Sequence, residues 1–203
     1  MVNVVLDRLP GDYCETVVAC LPQQQLTSIK FGLCSEMDMT QLLLPCSQLE
    51  ELEIGKDCQM VMTPTALEPG DVFLPNLKNL RVTSCCLGQG SSLFETARPL
   101  LNRVELNCVH FDIQEVGDQR WEDLPDLWPN LEYLTLHRVQ GLTAAKLIHI
   151  LSRLTRLKVA RLPKDVLQPV EQKLLLTRFQ FLKFFNGNSS TECCYQLQVE
   201  EEQ

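Results

Sequence analysis

The sequence predicts an α/β solenoid, in which the chain coils repeatedly through one parallel strand and one helical segment. Three observations predict this fold. The pattern L-x-x-L-x-L, with other aliphatic or aromatic residues allowed, recurs along nearly all 203 residues at intervals of 23 to 30 residues. Its spacing fits a strand, and the intervening segments have helical character. Intervals of this size are typical of stacked repeats, each of which is one supersecondary unit.

Each repeat is defined by its first, fourth and sixth positions. The six clear matches are Leu26/Ile29/Phe31, Leu49/Leu52/Ile54, Leu77/Leu80/Val82, Leu101/Val104/Leu106, Leu131/Leu134/Leu136 and Leu154/Leu157/Val159. Weaker matches begin at Met1 and Phe179. We therefore predict one domain over residues 1–185 with about eight irregular repeats, and a tail or partial capping repeat over 186–203.

The spacing within the repeat decides between strand and helix. These three positions share no single face of an α-helix, whereas the fourth and sixth positions of a strand point to the same side. The clearest helical segment is 143–151, where Leu147, Ile148 and Leu151 keep helical spacing among good helix formers. Prolines stand two to four residues ahead of five predicted strands and favour extended backbone there. They are Pro22, Pro45, Pro75, Pro99 and Pro129.

Composition excludes several classes of protein. Hydrophobic residues make up 45% and charged residues 22% of the chain, as in ordinary globular proteins. The formal net charge of −8 argues against binding to nucleic acid or to an anionic membrane, because both attract clustered Lys and Arg. The N-terminus lacks the features of a secretory signal, so we expect a cytoplasmic or nuclear protein whose ten cysteines are mostly buried thiols.

The sequence shows no catalytic or cofactor-binding motif. His110, His137 and His149 lack the spacing of metal ligands, and the glycine-rich stretch 88–92 lacks the lysine of a phosphate-binding loop. We therefore predict a non-catalytic protein that needs no cofactor and no metal.

The repeat resembles that of the leucine-rich-repeat superfamily, in which parallel strands line a concave face and helices line the convex face. Cys34 and Cys85 match the position eight residues after the first leucine, where that family closes hydrogen bonds between turns. Phrases such as 46–54 and 128–136 are similar to the cysteine-containing repeats of F-box proteins, which select substrates for a ubiquitin ligase. Openings such as 19–22 also resemble repeats of nucleotide-binding immune sensors. The resemblance implies one of two functions. They are recognition of substrates for a ubiquitin ligase, and ligand sensing or autoinhibition in an immune receptor.

The alternate strand positions should form an open, protein-binding face. Parallel sheets normally bury apolar residues on both sides, yet these positions are mostly polar. They carry six basic and four acidic residues, and aromatic residues and arginine are enriched at interface hot spots. We predict an acidic protein partner. The predicted contact residues are Arg81, Arg103, Tyr133, His137, Arg156, Lys158 and Lys183.

Stacked repeats need polar units at their ends, and Met1 already lies within a repeat. We therefore expect aliphatic side chains to remain partly uncovered at the N-terminal edge of the stack.

Overall fold

A computed structural model describes most of the chain. The described residues are 2–35, 37–55, 59–61, 73–83, 86–87, 98–107, 110–111, 120–137, 143–163, 167–180 and 182–185. The predicted tail over 186–203 lies outside these residues.

The centre of the fold is an open parallel sheet. Among the described residues it has eight strands, each paired with the next along the chain. The strands are β1 (Val2–Leu6), β2 (Leu26–Phe31), β3 (Glu51–Ile54), β4 (Asn79–Thr83), β5 (Arg103–Asn107), β6 (Tyr133–His137), β7 (Val159–Pro163) and β8 (Leu182–Phe185). The predicted α/β class with a parallel sheet is confirmed.

The repeat's apolar positions form continuous buried columns on one side of the sheet. Val104, Leu134 and Ala160 lie in register on β5, β6 and β7. Each of these side chains is almost fully buried, as are the equivalent residues of β2, β3, β4 and β8. Because every turn places its leucines against those of its neighbours, the core runs across the whole sheet instead of closing around one centre.

Helices lie in the segments between the strands. Within the described residues they are α1 (Gly11–Cys20), α2 (Met39–Leu43), α3 (Arg120–Leu127), α4 (Ala144–Arg153) and α5 (Pro169–Arg178), with a 3-10 turn at Gln23–Gln25. The predicted helix around 143–151 is confirmed as α4. Thr143 caps it by accepting a hydrogen bond from the Lys146 amide, and Leu147, Ile150 and Leu151 are buried. No helix in the described ranges is apolar over the length that a membrane crossing requires.

Short strands form two further parallel sheets in the first five turns. Leu9–Pro10 pairs with Cys34–Ser35, and a four-stranded sheet joins Met37–Asp38, Gln59–Val61, Cys86–Leu87 and His110–Phe111. The buried Cys34 thiol donates a hydrogen bond to the Leu6 carbonyl at 3.6 Å, which is the role predicted for its position in the repeat. Cys85 lies outside the described residues.

The seventh repeat differs from the prediction by three residues. The predicted match was Leu154/Leu157/Val159, but pairing places Val159 opposite Tyr133 and Ala160 opposite Leu134. The buried triplet is therefore Leu157/Ala160/Leu162. Alanine is too small to be recognised as a core residue in the sequence. The pattern therefore matched Leu154 and Leu157, three residues earlier. Leu154 is still buried, because α4 ends against the core there.

Among the described residues, one charged side chain is buried inside the fold. Arg98 is 1% exposed; its guanidinium donates a hydrogen bond to the Phe73 carbonyl and stacks on the Phe73 ring, 5.8 Å from the ring centre. Its amide donates to the Leu127 carbonyl at 2.6 Å. Burial lowers the pKa of Arg98 to about 10. Arg98 thus connects three consecutive turns behind the sheet.

Consecutive turns approach so closely that a side chain is excluded at one point. The Gly55 amide donates to the Phe31 carbonyl at 2.7 Å, just beyond the end of β3. A β-carbon at Gly55 would lie 2.7 Å from that same oxygen. Glycine therefore permits the backbone of the third turn to pack directly on the second.

The N-terminal edge of the sheet is only partly covered. Val2 and Val4 are half-buried, whereas the residues of β2 to β8 that lie in register with Val4 are buried. Val5, on the opposite face of β1, is 66% exposed. This is the uncovered aliphatic edge that the sequence predicts.

The register of β7 can be tested by comparing two truncations. Leu162→Ala should lower the free energy of unfolding by about 2–5 kcal/mol, because it leaves a cavity in a buried column. Val159→Ala should cost less than about 1 kcal/mol, since Val159 lies on the other face. Urea denaturation would measure both. A larger loss for Val159→Ala would show that the register is wrong.

Candidate protein-binding surface

The side of the sheet opposite the core forms a polar surface, here called the open face. Its side chains alternate with the buried ones along β1 to β8. They align in three rows that cross the strands, and the third row includes Thr83, Asn107 and His137. The first row is Asn3, Ser28, Glu51, Asn79, Arg103, Tyr133 and Val159. The central row is Val5, Lys30, Glu53, Arg81, Glu105, Thr135, Arg161 and Lys183.

Part of the open face is a shallow groove with a charged lining. Over β1 to β5 it forms a shallow groove of about 470 Å³ lined by residues that include Lys30, Glu53, Arg81 and Glu105. Pockets for small molecules are usually lined by apolar and aromatic side chains with few polar groups. The charged lining of this groove differs from the lining of such pockets.

Charges alternate along the central row. Lys30 forms an ion pair with Glu53 at 2.6 Å, and Arg81 forms one with Glu105 at 3.2 Å. Glu53 also lies in register with Arg81, so each of these four charges has an opposite charge on a neighbouring strand. Opposite charges at facing positions stabilise strand pairing by a fraction of a kcal/mol per pair.

The first row is held by other contacts. The Asn79 side-chain amide donates a hydrogen bond to the Glu51 carboxylate at 3.0 Å. The Arg103 guanidinium lies over the Tyr133 ring, 5.4 Å from its centre. Such cation–π stacking orients both side chains. Tyr133 remains 37% exposed and presents an aromatic surface at the middle of the sheet.

A third set of charges lies just before the strands. Lys78 pairs with Glu50 at 2.8 Å, and Lys158 pairs with Glu132 at 2.9 Å. The hydrogen bond and the negative charge of Glu132 raise the pKa of Lys158. These pairs link consecutive turns at the edge of the open face.

The structure places five of the seven predicted contact residues on the open face. Arg81, Arg103 and Tyr133 are in the first and central rows, Lys183 ends the central row, and His137 lies near the end of β6. The His137 Nδ1 atom is 2.6 Å from the Asn107 Oδ1 atom.

Arg156 and Lys158 lie elsewhere than predicted. Both precede β7, because that strand begins at Val159. The same three-residue shift brings Arg161 onto the open face, and the sequence analysis missed it. Treating Ala160 as a core residue would have identified Arg161, since Leu157/Ala160/Leu162 has the spacing of the other repeats.

No protein-family model matches the chain, and no curated protein matches it. Among the described residues, no group of three or more His, Cys, Asp or Glu side chains is arranged to hold a metal ion.

The central row predicts the effect of one charge reversal. Lys30→Glu would place a second carboxylate opposite Glu53 and should lower the free energy of unfolding by about 0.5–1 kcal/mol. Thermal denaturation would measure the fall in Tm. The loss should diminish at high salt, because salt screens exposed charges.

The matched control is Lys173→Glu, which makes the same charge change on an exposed residue of α5. It should alter Tm less than Lys30→Glu. Equal effects of the two substitutions would contradict a specific role for the pairing on the open face.

Proposed function

We propose that this chain is a non-enzymatic protein-binding module of the leucine-rich-repeat type, and that it holds its partner on the open face. The observation that carries the proposal is a parallel sheet that, over its described strands, is buried on one side and presents polar, partly or fully exposed side chains on the other. Parallel sheets in enzymes are usually covered on both sides, so a polar face needs a different explanation. A surface for a protein partner provides one.

The repeat architecture supports the leucine-rich-repeat part of the proposal. Every described strand of the main sheet pairs in parallel with its sequence neighbour, and the L-x-x-L-x-L positions form the buried columns. Sequential parallel pairing with a core between neighbouring turns is the arrangement expected of a solenoid. In the proposed horseshoe, the open face is the concave side.

The environment of Cys46 supports a structural role for this cysteine, which is the first residue of the cysteine-containing phrase 46–54. Its thiol is buried and donates a hydrogen bond to the Leu42 carbonyl at 3.8 Å. Burial raises the pKa of Cys46 to about 11, so the thiol stays neutral at physiological pH. A neutral, inaccessible thiol suits packing and is unsuited to nucleophilic catalysis.

The size of the open face sets the kind of contact. Eight strands about 4.8 Å apart, each about five residues long, give an area on the order of 550 Å². A standard protein interface covers roughly 800 Å² on each partner. We therefore propose that the partner also contacts residues at the rim of the sheet.

Two narrower functions follow from the sequence resemblance. The cysteine-containing repeats favour the substrate-recognition part of a ubiquitin-ligase receptor. The alternative is the sensing or autoinhibitory region of an immune receptor. Both use the solenoid to bind another protein segment, so both rest on the same surface.

Site-specific photo-crosslinking tests the proposed surface. A benzoyl-phenylalanine would replace Tyr133 on the open face or, as the control, Tyr13 on α1, which is 64% exposed. Both substitutions exchange one exposed aromatic side chain for another. We expect irradiation in cell extract to link a defined protein partner to position 133 and not to position 13.

The comparison between the two positions decides the outcome. Products that form equally from both positions would indicate adventitious contact, and a partner linked only from position 13 would place the interface on the helical side. Either result would contradict the proposal.

A further inference from the structure

The open face is electrically uneven from one end to the other. On β1 to β5 it carries three basic and three acidic side chains. They are Lys30, Arg81, Arg103, Glu51, Glu53 and Glu105. On β6 to β8 the described face positions include the two cations Arg161 and Lys183 and no acidic residue. The excess positive charge of the face is therefore confined to its C-terminal end.

The two cations occupy directly facing positions. Arg161 lies in register with Lys183 on one side and with Thr135 on the other. Adjacent strands are about 4.8 Å apart, and like charges at facing positions destabilise a sheet. The four preceding charges of the same row alternate in sign, so this arrangement departs from the pattern of the rest of the row. Such local departures are expected where a surface serves binding.

The acidic side chain that precedes β6 does not compensate these cations. Glu132 precedes β6, where it already accepts a hydrogen bond from Lys158 at 2.9 Å. Within the described part of the chain, neither Arg161 nor Lys183 takes part in an ion pair with an acidic residue. Both are partly exposed, so an anionic group from outside can reach them.

The surroundings suit an extended polypeptide. Tyr133 and Val159 lie side by side in the first row, next to the two cations, and Tyr133 is partly exposed. Thr135 supplies a hydroxyl beside Arg161. Carboxylates could contact the cations while apolar side chains contact Tyr133 and Val159, which is the mixture typical of protein interfaces.

From these observations we infer that Arg161 and Lys183 bind two carboxylates of an acidic protein segment lying across β6 to β8. This inference rests on the proposed protein-binding function and adds to it the position and chemistry of the partner. Arg81, which the sequence predicts as a contact residue, is excluded from this role because its ion pair with Glu105 already neutralises its charge.

A protein segment fits these charges better than a nucleic acid. The chain carries a net charge of −8, which repels a polyanion at long range. Affinity for nucleic acid usually rests on many phosphate contacts, and this end of the face offers two cations. Two facing cations are sufficient for a protein segment that presents two carboxylates and makes its other contacts through apolar side chains.

The test uses the purified full chain and a fluorescent oligo-glutamate peptide, with an oligo-glutamine peptide of the same length for comparison. We expect fluorescence anisotropy at low salt to detect binding of the glutamate peptide only. Lys183→Glu should weaken this binding about tenfold or more, because it replaces an attraction with a repulsion. Arg161→Gln provides a second variant that leaves Lys183 intact and should also weaken binding.

Thermal denaturation distinguishes a specific loss of peptide binding from a loss of folding. Lys183→Glu places a carboxylate opposite Arg161 and should raise Tm by about 1–3 °C while binding is lost. A binding defect accompanied by a large fall in Tm in both variants would overturn the inference, since it would show that these residues serve folding. Lys173→Glu on α5 should leave peptide binding unchanged.

Three further results would overturn the inference. They are failure of the glutamate peptide to bind, binding that survives both substitutions, and equally tight binding of a single-stranded DNA oligonucleotide that depends on the same two residues. The proposed function is judged separately. A partner crosslinked from position 133 would support it even if the glutamate peptide fails, and competition of the peptide with that crosslink would support both.

Discussion

In-register parallel pairing of successive turns is the constraint on which the other features depend. It places each residue of a main-sheet strand beside the residue that has the same structural position in the next turn. On the covered side, this arrangement stacks aliphatic side chains into columns such as Val104, Leu134 and Ala160. On the other side, it produces rows of polar side chains. The core and the candidate binding surface are therefore two results of one pairing pattern.

The same constraint separates the parts of the chain that can vary from those that cannot. The strands have four to six residues each, and their register is continuous except for one irregularity between Val2 and Asn3. The segments between them differ in length and in structure. Some contain helices such as α4, and others contain short strands such as Cys34–Ser35. Variation in these segments leaves the spacing of side chains on the open face unchanged.

Contacts behind the sheet adjust to this variation individually. Arg98 is an example, because its side chain reaches Phe73 and its amide reaches Leu127, residues from the preceding and following turns. An arginine buried in this way requires polar partners, which it finds in backbone carbonyl groups. Asp126 and Arg153 perform a similar function at the surface, where their ion pair joins α3 to α4.

Much of the fold could be predicted from the sequence, since the repeat depends on local spacing of large apolar residues. In six of the eight strands, β2 to β6 and β8, the buried positions are those that the pattern predicts, and in β1 Leu6 is buried while Val4 is half-buried. The remaining strand, β7, was misplaced because Ala160 carries little hydrophobic signal. The two-residue strands have too few positions to show a period, and they were not predicted.

The candidate surface was harder to predict than the core. Its polar character follows from alternation along each strand, and this could be seen in the sequence. The sign of the local charge balance depends on which residues face one another across strands. Arg81 looked available in the sequence, but register places Glu105 beside it. Arg161 was missed because the three-residue error in the position of β7 placed Arg161 beyond the end of the predicted strand.

The sequential order of the strands also has a mechanical consequence. The first and last described strands, β1 and β8, lie at opposite edges of the sheet. Tension applied between these two strands would act across the hydrogen-bonded ladders in series, so every ladder would carry the same load and the weakest would open first. The sheet should then come apart turn by turn from an edge at low force, and β1 is the edge with the least covered side chains.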